Sequence, residues 1–387
     1  MRILTVGPTP AWQQILTFER FQENQVNRVE KALWMASGKG VNAAFAVRTL
    51  QRTGRKNEPA QRSIADTSVL LTFLGGAMRD PMLKDIQEKD LLVRSVETQT
   101  RTRVCTTLLN KSRHEVTELV EHGGRVSEEE QARVLSLFLE EAPQADAILL
   151  MGSLPMETPS SFYGHLLKNA ASSHAFIETI PVIADIRGEE LLKVIQYFEH
   201  RGKNEPSFRL SQQPSCLLKP NRRELAATLK QELSTEGAFY DALRQLPLPE
   251  GLSFLITDES NPVWWVTRDG FFRFTPPFVS PSKIVSPIGC GDSMSGALAW
   301  FLSETRFRER ESEERASLVE SVREFLRGKK GYFSHFLQTV HWCAALKVGL
   351  AAAAWNLQQI EAGRLDATPI LTSAQTIRFE FFPRSSF

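Results

Sequence analysis

SPIGCGDSMSGALAW, residues 286–300, sets glycines on both sides of Cys290, Asp292 directly after them, and then the small residues Ser295, Gly296, Ala297 and Ala299. The stretch reads as a glycine turn that opens an apolar helix. Such a turn presents the N–H groups of Gly289, Cys290 and Gly291 at a helix N-terminus, where unpaired amides and the helix dipole favour an anion. Asp292 stands beside that place. It suits a general base that removes a hydroxyl proton while charge develops against the amides. It equally suits a plainer role, a first-turn acid favoured by the dipole. A dinucleotide fingerprint is a poor match, because Met294 occupies the position of the third glycine.

Outward from this turn, short apolar runs alternate with helical stretches. SVLLTFLGG, DAILLMGS, IPVIADIRG, SCLLKPN and LSFLIT are brief, rich in β-formers and closed by Gly, Pro, Asn or a hydroxyl residue. They read as buried parallel strands. Between them lie helices such as SEEEQARVLSLFLEEA, with Ser127 as N-cap and Glu130 as its capping-box partner. The alternation predicts one α/β domain over 1–387, a mostly parallel sheet with helices on both faces. Two regions, about 11–36 and 92–120, alternate polar and apolar residues instead, as half-exposed strands do, and predict a small second sheet. The polar stretches 51–66 and 199–215 read as surface loops, and the charge-dense 305–333 as a solvated helical excursion.

With 387 residues, 42% apolar and 24% charged, the chain has the balance of a soluble globular protein. A net charge of +1 gives no global field for nucleic acid or an anionic membrane, so neither is expected as a partner. The four cysteines are far apart with no CxxC pair, which predicts free thiols in a reducing compartment. No stretch approaches the length of a membrane span, and the start lacks a signal-peptide core; a cytoplasmic location is the expectation.

Two more stretches carry chemistry. In ASGKGVNAAFAVRTL, residues 36–50, Gly38 and Gly40 allow close approach of a ligand, Lys39 supplies charge, and Asn42 both donors and acceptors. It is not a P-loop, which needs an earlier glycine and a hydroxyl after the lysine. In LLKPNRREL, residues 217–225, Asn221 and Glu224 outline a capping box, and would also put an amide and a carboxylate where a Mg²⁺–phosphate group could sit.

Together, SGKGVNAA and SPIGCGDSMSG resemble the paired signatures of the PfkB (ribokinase-like) carbohydrate kinases. The resemblance extends through MGSLPMETPSSFY, IADIRGEEL, LLKPNRREL and the late ALKVGLAAAAWN. ILTVGPTPAWQQ and TRTRVCTTLL point to the 1-phosphofructokinase and tagatose-6-phosphate kinase branch. The resemblance implies a ribokinase-like fold with a β lid, ATP as co-substrate and Mg²⁺ as cofactor. Asp292 would be the base, and Gly289, Cys290 and Gly291 the anion hole. Gln13, Gly38, Lys39, Asn42, Arg101, Arg103 and Glu118 would face a sugar or sugar phosphate. Asn221 and Glu224 would hold metal and phosphate through water, with Thr257, Gly349 and Ala353 along the nucleotide. A homodimer through the lid is expected. The sequence departs from the family's pattern at Thr9, where Asn is usual, at Gln13, where Asp is usual, at Ser37 and at Cys290. No glycine lies between Thr257 and Trp264. These departures set beside the kinase a second reading, a catalytically degenerate relative that binds a sugar or nucleotide in a regulatory role.

Overall fold

The computed structural model describes residues 1–54, 66–113, 115–173, 180–204, 216–304 and 312–386. Among them the strands are β1 (Arg2–Val6), β2 (Ala11–Phe18), β3 (Lys31–Ser37), β4 (Thr67–Gly75), β5 (Leu92–Thr98), β6 (Arg103–Asn110), β7 (Glu115–Val120), β8 (Ala147–Met151), β9 (Val182–Asp185), β10 (Cys216–Leu218), β11 (Leu252–Ile256), β12 (Val263–Val266), β13 (Gly270–Phe274) and β14 (Phe379–Pro383). The helices are α1 (Lys39–Thr53), α2 (Arg79–Glu88), α3 (Glu128–Glu141), α4 (Phe162–Ser173), α5 (Gly188–Asn204), α6 (Arg222–Leu229), α7 (Glu236–Gln245), α8 (Cys290–Glu304), α9 (Glu313–Arg327), α10 (Phe336–Asn356) and α11 (Ala367–Thr376).

The main sheet runs in the order β14-β13-β12-β11-β10-β9-β8-β1-β4-β5. From β11 to β5 every neighbouring pair is parallel, and β12, β13 and β14 add antiparallel strands at the other edge. All five apolar runs read as parallel strands lie in it, buried on both faces. Alternate side chains feed two cores. Ile3, Leu149, Ile183 and Leu217 pack under α1, α8, α10 and α11. Leu4, Ile148, Leu150 and Leu218 pack under α3 to α7. The strand order reverses between β1 and β8, and a crevice at the carboxyl ends of strands opens at such a point. The turns leaving β1, β8, β9, β10 and β11 therefore share one rim.

The second sheet runs β3-β2-β6-β7. It contains the expected lid strands with one correction: residues 92–98 form β5 and pair in parallel with β4 in the main sheet. Their alternation arises because β5 is an edge strand with one open face. The charge-dense segment also differs from expectation. Ser312 caps α9, which is amphipathic rather than solvated, with Leu318, Val322 and Leu326 in the core. The Ser127–Glu130 capping box of α3 is formed as read. Most of the polar stretches at 51–66 and 199–215, and residues 305–311, lie outside the described residues, although α1 reaches Thr53 and α5 Asn204. No described helix is long and apolar enough to cross a membrane. All four cysteines are free.

Candidate active site

The rim is assembled by glycines. Gly7, after β1, and Gly40, in the first turn of α1, meet backbone to backbone: a Cβ on either would lie 2.5–2.6 Å from the other's Cα. Gly38 caps α1 at φ 105°, with the Thr9 carbonyl against it. These contacts bring Lys39 and Asn42 over the ends of the central strands. On the far side Gly289 takes φ 77°, a left-handed conformation that glycine adopts freely. A Cβ there would strike Ala362 Cβ at 2.3 Å.

Lys39 Nζ donates to Asp185 Oδ1 at 2.6 Å, and Lys219 Nζ pairs with Asp185 Oδ2 at 2.6 Å. Glu224 Oε1 lies 3.8 Å from Lys39 Nζ and 3.9 Å from Arg187. Asn42 Nδ2 donates to Asp292 Oδ2 at 2.8 Å, and Ser37 Oγ donates to Asn42 Oδ1 at 3.1 Å. Asn42 thus has its amide committed to Asp292 and Ser37, and holds the acid by its second oxygen. Gly291 leaves room for the ion pair, since a Cβ there would sit 3.2 Å from Lys219 Nζ and 3.6 Å from Asp185 Oδ2.

Two buried carboxylates here behave in opposite ways. Burial drives Asp292 up to about 6, and the negative Asp185 adds to this; Lys39, the Asn42 hydrogen bond and Lys219 oppose it. Burial also works to raise Asp185, but the attraction and hydrogen bonds of Lys219 and Lys39 outweigh it and hold that carboxyl well below its usual range. One acid is locked as an anion and its neighbour is poised near neutrality, a division typical of acid–base sites. Burial pushes the Cys290 thiol up to about 11, so it is a thiol rather than a thiolate at neutral pH.

The turn around Cys290 is held from behind by Asn356, which is fully buried. Its Nδ2 donates to Ile288 O at 2.7 Å and its Oδ1 accepts from Ser293 Oγ at 2.8 Å and from Gly363 N–H at 2.9 Å. Of the amides expected to form an anion hole, that of Cys290 has an acceptor, Pro287 O at 3.4 Å. Those of Gly289 and Gly291 meet none among the described residues.

Asn221 and Glu224 form the capping box of α6: Asn221 Oδ1 accepts from Glu224 N–H at 2.8 Å and Glu224 Oε2 from Asn221 N–H at 3.0 Å. The structural role is therefore real, but it uses only one carboxylate oxygen. Glu224 Oε1 is left towards an open cleft of about 610 Å³ that Arg187, Asn221 and Arg223 also line. Thr257 pairs with Asn221 as an isolated bridge and stands at the same end of the sheet. As a site for Mg²⁺ the set fits. The donors are hard oxygens, an amide and a single carboxylate, which is the small protein ligand set this ion commonly uses. Binding through retained water is the usual habit of this ion.

On the lid, the register puts Gln13, Thr107, Glu118 and Ser37 on one face, the face that Ser37 turns towards Asn42. Gln13 is 6% exposed, and its Nε2 donates to Thr107 Oγ1 at 2.7 Å. Loss of solvent raises the Glu118 carboxyl. Arg101 and Arg103 stand at the hinge of the lid. Arg101 pairs with Glu121 at 2.9 Å and Arg103 donates to Thr9 O at 3.0 Å, both beside a cavity of about 30 Å³. Gly349 is not brought to this rim. It is buried in α10 against α8, with Met294 Cγ 3.1 Å from where its Cβ would be, so it serves helix packing. Ala353, one turn on, packs against the same core. Asp185, Lys219 and Asn356 received no role from sequence. A signal was present for the first two: each is a charge at the end of an apolar strand.

A doubly wound sheet with a β lid, and a lysine–carboxylate cluster at the switch point, define a ribokinase-like phosphotransferase fold. The comparisons agree. The family model for pfkB family carbohydrate kinases matches residues 10–323, and the chain belongs to that family. It is a carbohydrate kinase, a phosphotransferase with an alcohol group as acceptor. A possible 1-phosphofructokinase from Thermotoga maritima is similar in structure, with TM-score 0.71 and 17% identity over 99% of this chain and 100% of that one. Phosphofructokinase-2 from Escherichia coli, in complex with fructose-6-phosphate, gives TM-score 0.68 and 19% identity over 97% and 98%. Ribokinase from Thermotoga maritima gives 0.56 and 16% over 97% and 99%.

Proposed function

We propose that the protein transfers the terminal phosphoryl group of ATP to a hydroxyl of a sugar or sugar phosphate, in a Mg²⁺-dependent reaction. The observation that carries this is Asp292: buried, raised to about 6, held by Asn42 and set at the N-terminus of α8. At neutral pH it is largely ionised yet basic enough to accept a proton, as a general base should be. The sugar O–H proton passes to Asp292, the new O–P bond forms, and the bond from the γ-phosphorus to the oxygen bridging it to the β-phosphate breaks, releasing ADP. The Gly289 and Gly291 amides, which have no acceptor among the described residues, would face the charge of the transferring group, and Lys39 stands on the side of Asp185 and Glu224. Asn221 and Glu224 would hold Mg²⁺ through water, and the ion would neutralise phosphate charge. Gln13 and Glu118, on the inner face of the lid, would meet the sugar, and the hinge arginines Arg101 and Arg103 its phosphate. Thr257 would lie beside the nucleotide.

Trp34 is 47% exposed on the lid face opposite Gln13 and stacks at 6.3 Å on Trp12, which packs in turn against the cluster of Ala36, Val41 and Phe45. This apolar face suits a second copy of the chain. The free thiols suit a reducing, cytoplasmic setting. The test is a phosphorylation screen with ATP across sugars, sugar phosphates and nucleosides. Turnover of one of them that Asp292→Asn abolishes supports the assignment. Tight sugar or nucleotide binding without turnover of any would favour the degenerate, regulatory reading.

A further inference from the structure

Three arginines surround the start of α6, and they are used differently. Arg222 is tied into the scaffold. Its guanidinium donates to the carbonyls of Leu233, Ser234 and Thr235 at 2.7–3.2 Å and pairs with Asp258 at 3.1 Å. It also stacks over the Phe239 ring at 4.5 Å. Arg187 and Arg223 remain. Both are exposed. Among the described residues, Arg187 forms one ion pair, with Glu224 Oε1 at 3.9 Å, and Arg223 forms none. Both line the 610 Å³ cleft together with Glu224, whose Oε1 lies 3.8 Å from Lys39 Nζ of the catalytic cluster.

The floor of that cleft is small and fixed. Gly188 N–H donates to Thr228 Oγ1 at 2.9 Å, and Thr228 Oγ1 donates to Glu224 O at 2.7 Å. Across the neighbouring strand end, the 257–262 turn offers Asp258 and Glu259 and no glycine. Glu259 itself takes φ 50°. Two carboxylates make that turn a poor cradle for phosphate. The positive charge and forked donors that polyphosphate needs lie instead on Arg187 and Arg223.

Resting on the kinase reading above, we propose that Arg187 and Arg223 clamp the polyphosphate tail of the donor and set the preference for a triphosphate. Glu190 and Glu224, which line the same cleft, would face the metal's water shell. The preferred ligand is then a metal–polyphosphate rather than a bare anion. Both arginines are exposed and carry no structural hydrogen bond among the described residues, so their removal should leave the fold intact.

The experiment is calorimetric titration of the full chain with Mg²⁺–tripolyphosphate, Mg²⁺–ADP and adenosine, together with donor and acceptor KM values. Arg187→Ala and Arg223→Ala should each weaken tripolyphosphate roughly tenfold, the size of one charged hydrogen bond. Adenosine affinity and the acceptor KM should stay unchanged while the donor KM rises. Arg187→Lys should recover part of the loss, since it keeps the charge without the fork. Wild-type tripolyphosphate affinity in the double variant overturns the clamp and leaves the kinase reading standing. A wild-type protein that binds neither Mg²⁺–ADP nor tripolyphosphate overturns both.

Discussion

Replacing Asp292 by Asn should slow the enzyme and stabilise it at once. The carboxyl has been lifted from 3.8 to about 6, which corresponds to roughly 3 kcal/mol of penalty on its ionised form in the folded protein. The sign follows from the direction. The folded value lies above the unfolded one, so the penalty is complete above about pH 6, fades between there and 3.8, and is absent below. Asn has no charge to desolvate and its oxygen can still accept from Asn42, although that bond becomes a neutral one and loses about 1 kcal/mol. A net gain of roughly 1–2 kcal/mol remains at pH 8. For a chain of this length that is about 1–3 °C in Tm, taking roughly 2.1 cal/mol/K per residue for the unfolding entropy. The gain should vanish at pH 4. Turnover should fall by roughly 10²–10⁴, because the amide cannot take the hydroxyl proton. In the wild type, kcat/KM should rise with pH through a limb near 6, as the base ionises. Scanning calorimetry at pH 8 and pH 4, with steady-state kinetics from pH 5 to 9, covers each point. A variant with wild-type kcat, or one that melts several degrees lower at pH 8, would refute the reasoning, the latter by showing that the charged carboxylate is a net support of the fold.

Glu224→Gln should keep the capping box, since an amide oxygen can still accept from Asn221 N–H, and so leave Tm unchanged; a Mg²⁺ titration of the rate should show a several-fold higher half-saturating concentration, and an unmoved curve would reduce Glu224 to a cap. Gln13→Asp should improve weak wild-type activity on fructose 1-phosphate and tagatose 6-phosphate, because a charged acceptor worth roughly 1.5–3 kcal/mol is restored; strong wild-type activity that Asp lowers would show that Glu118 already compensates. Gly289→Ala should cost at least about 2 kcal/mol, measured by urea unfolding, given the left-handed φ and the 2.3 Å approach to Ala362. Trp34→Glu should leave the melting temperature near that of the wild type and shift sedimentation towards monomer if the outer lid face joins two copies; an unchanged sedimentation coefficient would exclude that face.

The central strands were readable because burial on both faces leaves a continuous apolar run, and the signal is local. The antiparallel extension β12–β13–β14 was not foreseen, because Val263–Val266 pairs through β13 with Phe379–Pro383, more than a hundred residues later. The misplacement of 92–98 has the same root. Alternation reports that one face is open; it does not report which sheet owns the strand. In the site, Asp292 and Lys39 were legible through their glycines, which mark unusual backbone, whereas Asp185 and Lys219 sit in ordinary strand ends. Their importance lies in a pairing across β9 and β10 that only the folded sheet supplies.

That pairing also explains why the site tolerates two lysines and three carboxylates in so little space. Asp185 takes both ammonium groups at 2.6 Å, so the cations are fixed without touching Asp292, and Asp292 feels Asp185 as a nearby negative charge. Had Lys39 paired with Asp292 instead, its attraction would have pulled that carboxyl down, and a base far below neutral is a weak one. Asn42 prevents this exchange. It offers Asp292 a neutral donor at 2.8 Å, while Ser37 holds the amide so that its nitrogen, and not its oxygen, faces the acid. Asn42, three residues after Lys39 in the 36–50 stretch, thus contributes to the chemistry by deciding which acid keeps its proton affinity.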